Sequence, residues 1–190
     1  MTKYISIFLG FIIVIYPFAV YWSVSVLGVG SAALLIACLF LLRFFWPTTF
    51  YGAARHAKSV RWLALIGFLL AALSWLMHDP QWFKYYPVAV NIIFFAVFLA
   101  SLIRPPSIIE RFARIKEPEL PTSAVRYTKA VTQIWCAFFL LNGSVALYTV
   151  VVADFKFWAL YNGFISYLLI GLLMTIEFCF RHFYRKRLSL

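Results

Sequence analysis

Charged residues are scarce in this chain: Asp, Glu, Lys and Arg together make up 12% of its 190 residues, whereas a soluble domain has about 25%. Only 6 of the charged residues are acidic. Hydrophobic residues make up 65% of the chain, so water cannot be its main solvent. The composition therefore excludes a soluble globular domain. It also excludes a nucleic-acid-binding protein, which would need a polar domain that this sequence lacks.

Motifs for cofactor, metal or nucleophile chemistry are also missing. The sequence has no glycine-rich phosphate loop, no paired histidines at metal-ligand spacing and no serine or cysteine nucleophile in a recognisable setting. Cys38, Cys136 and Cys179 are single and widely spaced, whereas redox motifs need two thiols within a few residues. We therefore predict no cofactor, no metal site and no catalytic residue of a familiar type, and we interpret the cysteines as packing residues.

Six long apolar stretches are present instead, at about 4–22, 25–45, 62–78, 87–103, 130–152 and 157–178. A helix needs about 20 apolar residues to cross a bilayer core, so each stretch predicts one transmembrane helix. The segment 22–30, WSVSVLGVG, carries no charge, so helices one and two form either a tight hairpin or one longer, bent element. Five helices is the competing count. The predicted fold is all-α, a polytopic membrane helix bundle in a single domain, 1–190.

Basic residues are distributed unevenly between these stretches. All 17 except Lys84 and Lys156 fall before helix one, at or between helices two and three, between helices four and five, or in the tail. Lys and Arg in short loops favour the cytoplasmic side of a membrane, so we expect both termini to be cytoplasmic. A count of five would mix the two sides, which favours six. Basic clusters also attract an anionic leaflet, and the lipid bilayer is therefore the first predicted partner.

The one substantial polar segment, residues 104–130, lies between predicted helices four and five. Within it, Ser107 and Glu110 form the S-x-x-E pattern of a capping box, which predicts the start of a helix. At 100° per residue, its apolar side chains fall within about 120° of arc and the charged ones lie opposite, which predicts a short amphipathic helix on the cytoplasmic interface. The apolar residues are Ile108, Ile109, Phe112 and Ile115, and the charged ones are Glu110, Arg111, Arg114 and Glu117.

Two interpretations of this connector stay open. The first is a plain connector that covers the helix bundle. The second is a docking surface for a soluble partner or a lipid headgroup. An acidic acyl carrier protein would be attracted to its basic residues. The residues assigned to such docking are Arg111, Arg114, Lys116, Ile108 and Phe112.

Polar side chains at membrane depth are costly and tend to face the protein interior, which makes them site candidates. They lie in the last two predicted helices: Asn142, Asn162, Glu177, Thr149, Ser166 and Thr175. The antiparallel helices would bring LNG at 141–143 and YNG at 161–163 to neighbouring depths. Mutual hydrogen bonding of Asn142 and Asn162 is one interpretation; substrate binding, with Tyr161 and Glu177 added, is the other. Glu177 also precedes Arg181 by four residues, which predicts an ion pair near the interface.

Residues 105–181, from PPSIIERF to EFCFR, resemble a family of small multi-pass membrane proteins encoded in bacterial aryl polyene pigment clusters. The segments YPFAV at 16–20, YPVAV at 86–90 and FYGAARH at 50–56 are similar to elements of the same family. The resemblance implies a bacterial inner membrane and a role in making or moving a polyene lipid. It implies no catalytic residues.

Three classes of function follow. The preferred one is an accessory or scaffold protein that recruits soluble polyene synthesis enzymes, such as an acyl carrier protein, to a basic cytoplasmic surface. A transporter or flippase of a lipid or pigment intermediate is the alternative, because six helices and the polar pair Asn142 and Asn162 would suit it. An intramembrane enzyme acting on an acyl or aromatic substrate fits least.

Overall fold

The structure is a computed structural model that describes residues 2–45 and 54–188, with side chains for 18, 20–41, 65–115 and 117–182. All of the regular secondary structure in these described residues is helical. They are α1 (Thr2–Phe45), α2 (Ala54–Met77), α3 (Gln81–Lys84), α4 (Tyr86–Ile103), α5 (Ile108–Lys116), α6 (Thr122–Val151), α7 (Phe155–Leu160), a π-helical turn (Tyr161–Ile165) and α8 (Ser166–Leu188). The predicted fold class, an all-α polytopic membrane helix bundle, is confirmed.

Four segments of the described chain are long and apolar enough to cross a membrane: Val20–Leu41, Gln81–Ile103, Thr122–Val151 and Phe155–His182. A fifth, Leu65–Met77, is shorter. These five correspond to predicted helices two to six. Predicted helix one, 4–22, falls almost wholly outside the residues whose side chains are described, so the count of six stays a prediction.

The uncertain boundary between predicted helices one and two lies within α1, where two helical arms meet at a kink at Gly28. Gly28 has φ 76° and ψ 166°, a conformation that glycine adopts without the strain of a Cβ atom. The two arms contact different neighbours. Before the bend, the Tyr21 ring meets the Phe155 ring edge-on at 5.4 Å between centroids. After the bend, the Phe40 ring occupies the space beside Gly67 of α2.

Helices α4 and α6 form an antiparallel pair at the centre of the described bundle. The Phe94 and Phe139 rings stack with centroids 5.2 Å apart, and the Phe98 ring meets Phe139 edge-on at 5.1 Å. Ile108 of α5 and Cys136 of α6 belong to the same apolar cluster. The pair therefore carries α5 at the end of the bundle where α4 ends and α6 begins, which we call the α5 end.

The opposite end of the bundle is closed by contacts between α3 and the turn before α7. The fully buried Trp158 donates its indole N–H to the carbonyl of Lys84 at 3.1 Å. The Lys84 ammonium donates to the carbonyl of Ala153 at 3.3 Å. Asp154 caps α7 by accepting from the amide of Phe157. The bonds of Trp158 and Lys84 join residues 74 and 69 positions apart, and they fix where the π-helical turn enters the bundle.

Candidate functional site

A buried group of four polar side chains lies between α4, α6, the π-helical turn and the start of α8. Asn142 of α6 donates to Oδ1 of Asn91 at 3.0 Å and to Oγ of Ser166 at 2.9 Å. The hydroxyl of Tyr161 donates to Oδ1 of Asn142 at 3.0 Å. We call these four residues the Asn142 cluster. Each is less than a tenth exposed, so their hydrogen bonds form in an apolar environment.

Close approach of two helix backbones makes this cluster possible. Gly143 follows Asn142, and a Cβ atom placed on it would lie 3.0 Å from Cβ of Asn91. Small residues at membrane helix interfaces allow such approach. The amide of Asn91 also donates to the carbonyl of Pro87 at 2.9 Å. Its Oδ1 atom accepts from Asn142, so α4 and α6 are joined by an amide-to-amide bond.

The second predicted amide, Asn162, lies in a separate arrangement. It donates to Oγ1 of Thr149 at 3.1 Å and to the carbonyl of Trp158 at 2.9 Å. Thr149 in turn donates to the carbonyl of Ala146 at 2.7 Å. The prediction that Asn142 and Asn162 hydrogen-bond each other is therefore wrong. Thr149 is seven residues beyond Asn142, about 10 Å along α6 at 1.5 Å per residue, so the two amides bond at different depths.

The π-helical turn at Tyr161–Ile165 explains how two adjacent residues belong to two separate hydrogen-bonded groups, Tyr161 to the Asn142 cluster and Asn162 to the group with Thr149. Tyr161 and Asn162 are adjacent, and both are buried against α6. The wider turn inserts one residue into the helical repeat, and such insertions occur often at functional sites. Gly163 follows, and the Phe18 ring of α1 occupies the space where its side chain would lie. The turn is thus packed on both sides.

Glu177, the remaining predicted substrate-binding residue, lies elsewhere. It accepts from the hydroxyl of Tyr127 at 3.2 Å and pairs with Arg181 at 3.5 Å, which confirms the predicted ion pair. Tyr127 precedes Asn142 by fifteen residues on α6, about 22 Å of helix. The structure therefore brings Tyr161 to Asn142 but does not bring Glu177 to them.

Asn91 is the cluster member that was not predicted from the sequence, because all of the predicted candidates lie in the last two helices. Its signal was present: Asn91 is a single amide within the apolar run VAVNIIFFAVF of α4. A lone polar side chain at that depth should face a polar partner on a neighbouring helix. Which helix supplies that partner depends on how the helices are rotated, and one sequence does not contain that information.

The connector helix α5 begins as predicted. Oγ of Ser107 accepts from the amide of Glu110 at 3.4 Å, the N-cap bond of a capping box. The amide of Ile108 donates to Oγ of Ser101 on α4 at 3.0 Å, and its side chain is only 6% exposed. Exposure then rises along the same apolar face, to 53% at Phe112 and 77% at Ile115. Only the first turn of α5 is packed into the bundle.

The arginines of α5 are held by local bonds. Arg114 pairs with Glu110 at 2.8 Å and donates to the carbonyl of Pro118 at 2.8 Å. Arg111 donates through Nε to the carbonyl of Pro106 at 2.8 Å. Glu110, predicted on the solvent face, is 6% exposed instead, because the ion pair and the N-cap bond keep it against the bundle. The Lys116 side chain, also predicted to dock a partner, lies outside the described residues.

The described buried polar side chains find their hydrogen-bond partners within the protein itself. Every buried side-chain nitrogen or oxygen in the described part of the molecule has a hydrogen-bond partner. Across those same residues, no three His, Cys, Asp or Glu side chains are grouped as metal ligands would be. The described geometry of the Asn142 cluster supports helix association directly, because interhelical amide bonds contribute about 0.6 kcal/mol each in membranes, at most about 1.7.

The chain is similar to one curated membrane protein. Over 163 residues it is 25% identical to the inner membrane-spanning protein YciB of Magnetococcus marinus, an alignment that covers 84% of this chain and 77% of that protein. No family model and no solved structure matches the chain. The similarity supports the prediction of a multi-pass membrane protein, and it carries nothing about aryl polyene synthesis.

Proposed function

We propose that this protein is an accessory protein of the bacterial inner membrane, which gathers soluble enzymes of aryl polyene synthesis at its cytoplasmic surface. The similarity to an inner membrane-spanning protein supports the location. The family resemblance of residues 105–181 suggests the pathway. The uneven distribution of basic residues supports a cytoplasmic position for both termini and for α5.

The observation that carries this proposal is the arrangement of α5. The helix is fixed to the bundle by the buried side chain and the amide of Ile108, so its position does not depend on a partner. Arg111 and Arg114 are oriented by bonds to nearby carbonyls, and both keep partial exposure. A fixed basic surface attracts an acidic protein such as an acyl carrier protein over a distance and at low cost in side-chain entropy.

The hydrogen bonding inside the bundle also supports recruitment at the surface, because it leaves Asn142 few groups with which to bind a substrate. The donors of Asn142 are both used within the protein, and its acceptor oxygen is occupied by Tyr161. A bound substrate would have to displace these bonds. Recruitment at the surface requires no such rearrangement.

A transporter or flippase is the second candidate, and the π-helical turn favours it. Tyr161 and Asn162 lie on that turn and bond to different positions of α6. Such turns occur often at functional sites, and a change in this one would release both bonds to α6. In that case the Asn142 cluster, and not α5, would contact the transported lipid.

Charge reversal on α5 separates the two candidates. The variant Arg111→Glu, Arg114→Glu, Lys116→Glu is expressed in a strain that lacks the native gene, and polyene lipid is measured together with the amount of membrane-inserted protein. Recruitment predicts normal insertion and reduced polyene. A captured acidic partner should also dissociate as salt rises, because exposed charges are screened beyond about 8 Å at physiological ionic strength.

The matched control reverses three basic residues of the tail, Arg185→Glu, Lys186→Glu and Arg187→Glu, which changes the net charge equally. Recruitment through α5 predicts that this control keeps its polyene output. Normal output from a stably inserted α5 variant would contradict the proposal. Reporter fusions after Leu190 and near Lys116 test the orientation, and a periplasmic signal from either would contradict it.

A further inference from the structure

We propose that the far end of α5 binds anionic phospholipid, with Phe112 and Ile115 at the acyl boundary and Arg104 and Arg111 at the level of the phosphate. This goes beyond recruitment of a soluble partner, because the ligand is the membrane surface itself. It does not depend on which leaflet faces α5.

The depth of α5 is the first argument. The amide of Ile108 donates to Oγ of Ser101, and Ser101 lies two residues before the end of α4 at Ile103. At 1.5 Å per residue, α5 therefore starts about 3 Å inside the end of a membrane-spanning helix. A helix that starts there and ends at Lys116, before α6 begins, runs through the interfacial region.

The rise in exposure along α5 is the second argument. Ile108, Phe112 and Ile115 share one face of the helix, and their exposed fractions are 6%, 53% and 77%. The bundle supports the first turn, and the apolar face then extends past it. Ile103, the last residue of the α4 membrane span, is also 70% exposed. An amphipathic helix that begins at the end of a membrane span buries its apolar face in lipid, so the acyl boundary is the natural cover of Phe112 and Ile115.

Charge complementarity identifies the headgroup. Arg111 donates to the carbonyls of Pro106 and Arg104, which holds its guanidinium near the start of the connector. These bonds use two of the five N–H donors of an arginine. Arg104, whose carbonyl accepts one of these bonds, is itself exposed. Two neighbouring arginines with remaining donors match the oxygens of a phosphate, and each basic residue near an anionic surface should raise the affinity about fivefold.

Depth-dependent fluorescence quenching tests the apolar contact. The full-length protein, with its three cysteines replaced by alanine, carries an environment-sensitive fluorophore on Ile115→Cys and is reconstituted in vesicles of phosphatidylcholine and phosphatidylglycerol. The label should be quenched by a nitroxide on the lipid and shielded from aqueous iodide. A matched label on Glu119→Cys, which is exposed beyond α5, should show the reverse. Equal iodide quenching at both positions would overturn the proposal.

Lipid selectivity tests the charge contact in the same vesicles. Headgroup-labelled phosphatidylglycerol should quench the label at 115 more than equally labelled phosphatidylcholine, with a preference of about fivefold for each arginine. The double variant Arg104→Gln, Arg111→Gln should lose that preference and keep its insertion. Equal quenching by the two lipids in the parent protein would overturn the proposal. Shielding at 115 that appears only after soluble protein is added would also overturn it.

Discussion

The Asn142 cluster and α5 both place polar side chains among apolar ones, but these side chains differ in charge, burial and hydrogen-bond partners. In the cluster, amides and hydroxyls are neutral, buried and bonded to one another across three segments. On α5, the polar groups are charged, the arginines are partly exposed, and they bond mainly to their own helix and its flanking turns. The difference follows membrane depth, because an unpaired charge in the bilayer core costs far more than one at the interface.

This comparison separates what holds the bundle together from what is available to other molecules. Among the described residues, the buried side chains are all hydrogen-bonded and have little left for a ligand, whereas the arginines of α5 keep donors for other molecules. Variants in the cluster should therefore lower stability, and charge variants in α5 should change output or lipid contact more than they change stability. Substitutions at three contacts between helices should lower stability, each less than the one before.

Replacement of Asn142 by Leu should have the largest effect. It removes hydrogen bonds to Asn91, Ser166 and Tyr161, which at about 0.6 kcal/mol each amounts to about 2 kcal/mol. The buried groups left unpaired add to this loss. Unfolding in mixed detergent micelles measures it. The control Leu141→Ala changes a side chain that is mostly exposed and should cost much less; a similar loss in both variants would mean that Asn142 makes no special contribution.

Two glycines of the membrane helices offer a sharper comparison. In Gly143→Ala, the new Cβ would meet Cβ of Asn91 at 3.0 Å, so α4 must move and stability should fall by about 1 kcal/mol. In Gly171→Ala, nothing lies within 4 Å of the new atom, so only the higher helix propensity of alanine acts. The same unfolding assay should give opposite signs. Equal effects would contradict the close contact of α4 and α6.

Removal of one hydroxyl at the α5 end should have the smallest effect. Tyr127→Phe loses the bond to Glu177, at 3.2 Å, and should cost about 0.6 kcal/mol. The stacking of this ring on Phe180 is retained. Tyr148→Phe, at an exposed ring, serves as the control. Stability unchanged relative to this control would show that the Tyr127 hydroxyl does not help to join α6 to α8.

Much of the fold could be predicted because the preference of an apolar segment for the bilayer depends only on the residues of that segment. The apolar runs predicted α4, α6 and α8, the Ser107 capping box predicted α5, and the four-residue spacing predicted the pair of Glu177 and Arg181. Each of these depends on neighbours along the chain or on solvent, not on distant contacts.

The partners within the bundle could not be predicted in the same way. Asn142 pairs with Asn91, not with Asn162, because helix rotation and the π-helical turn decide which amides meet. The sequence predicts one uniform apolar face on α5, yet Ile108 and Ile109 pack against the bundle while Phe112 and Ile115 are exposed. Both outcomes depend on where one helix ends relative to another, which periodicity does not specify. The link to aryl polyene synthesis stays a prediction.

The most direct test of the division between interior and surface is polyene output per molecule of inserted protein, measured side by side for Asn142→Leu and for the triple reversal of Arg111, Arg114 and Lys116. We predict that Asn142→Leu lowers the amount of protein, while the output per remaining molecule stays at the parent value. The triple reversal should do the opposite, with normal protein and low output per molecule. A normal amount of the Asn142→Leu protein with its output lost would contradict this division and place the substrate in the Asn142 cluster.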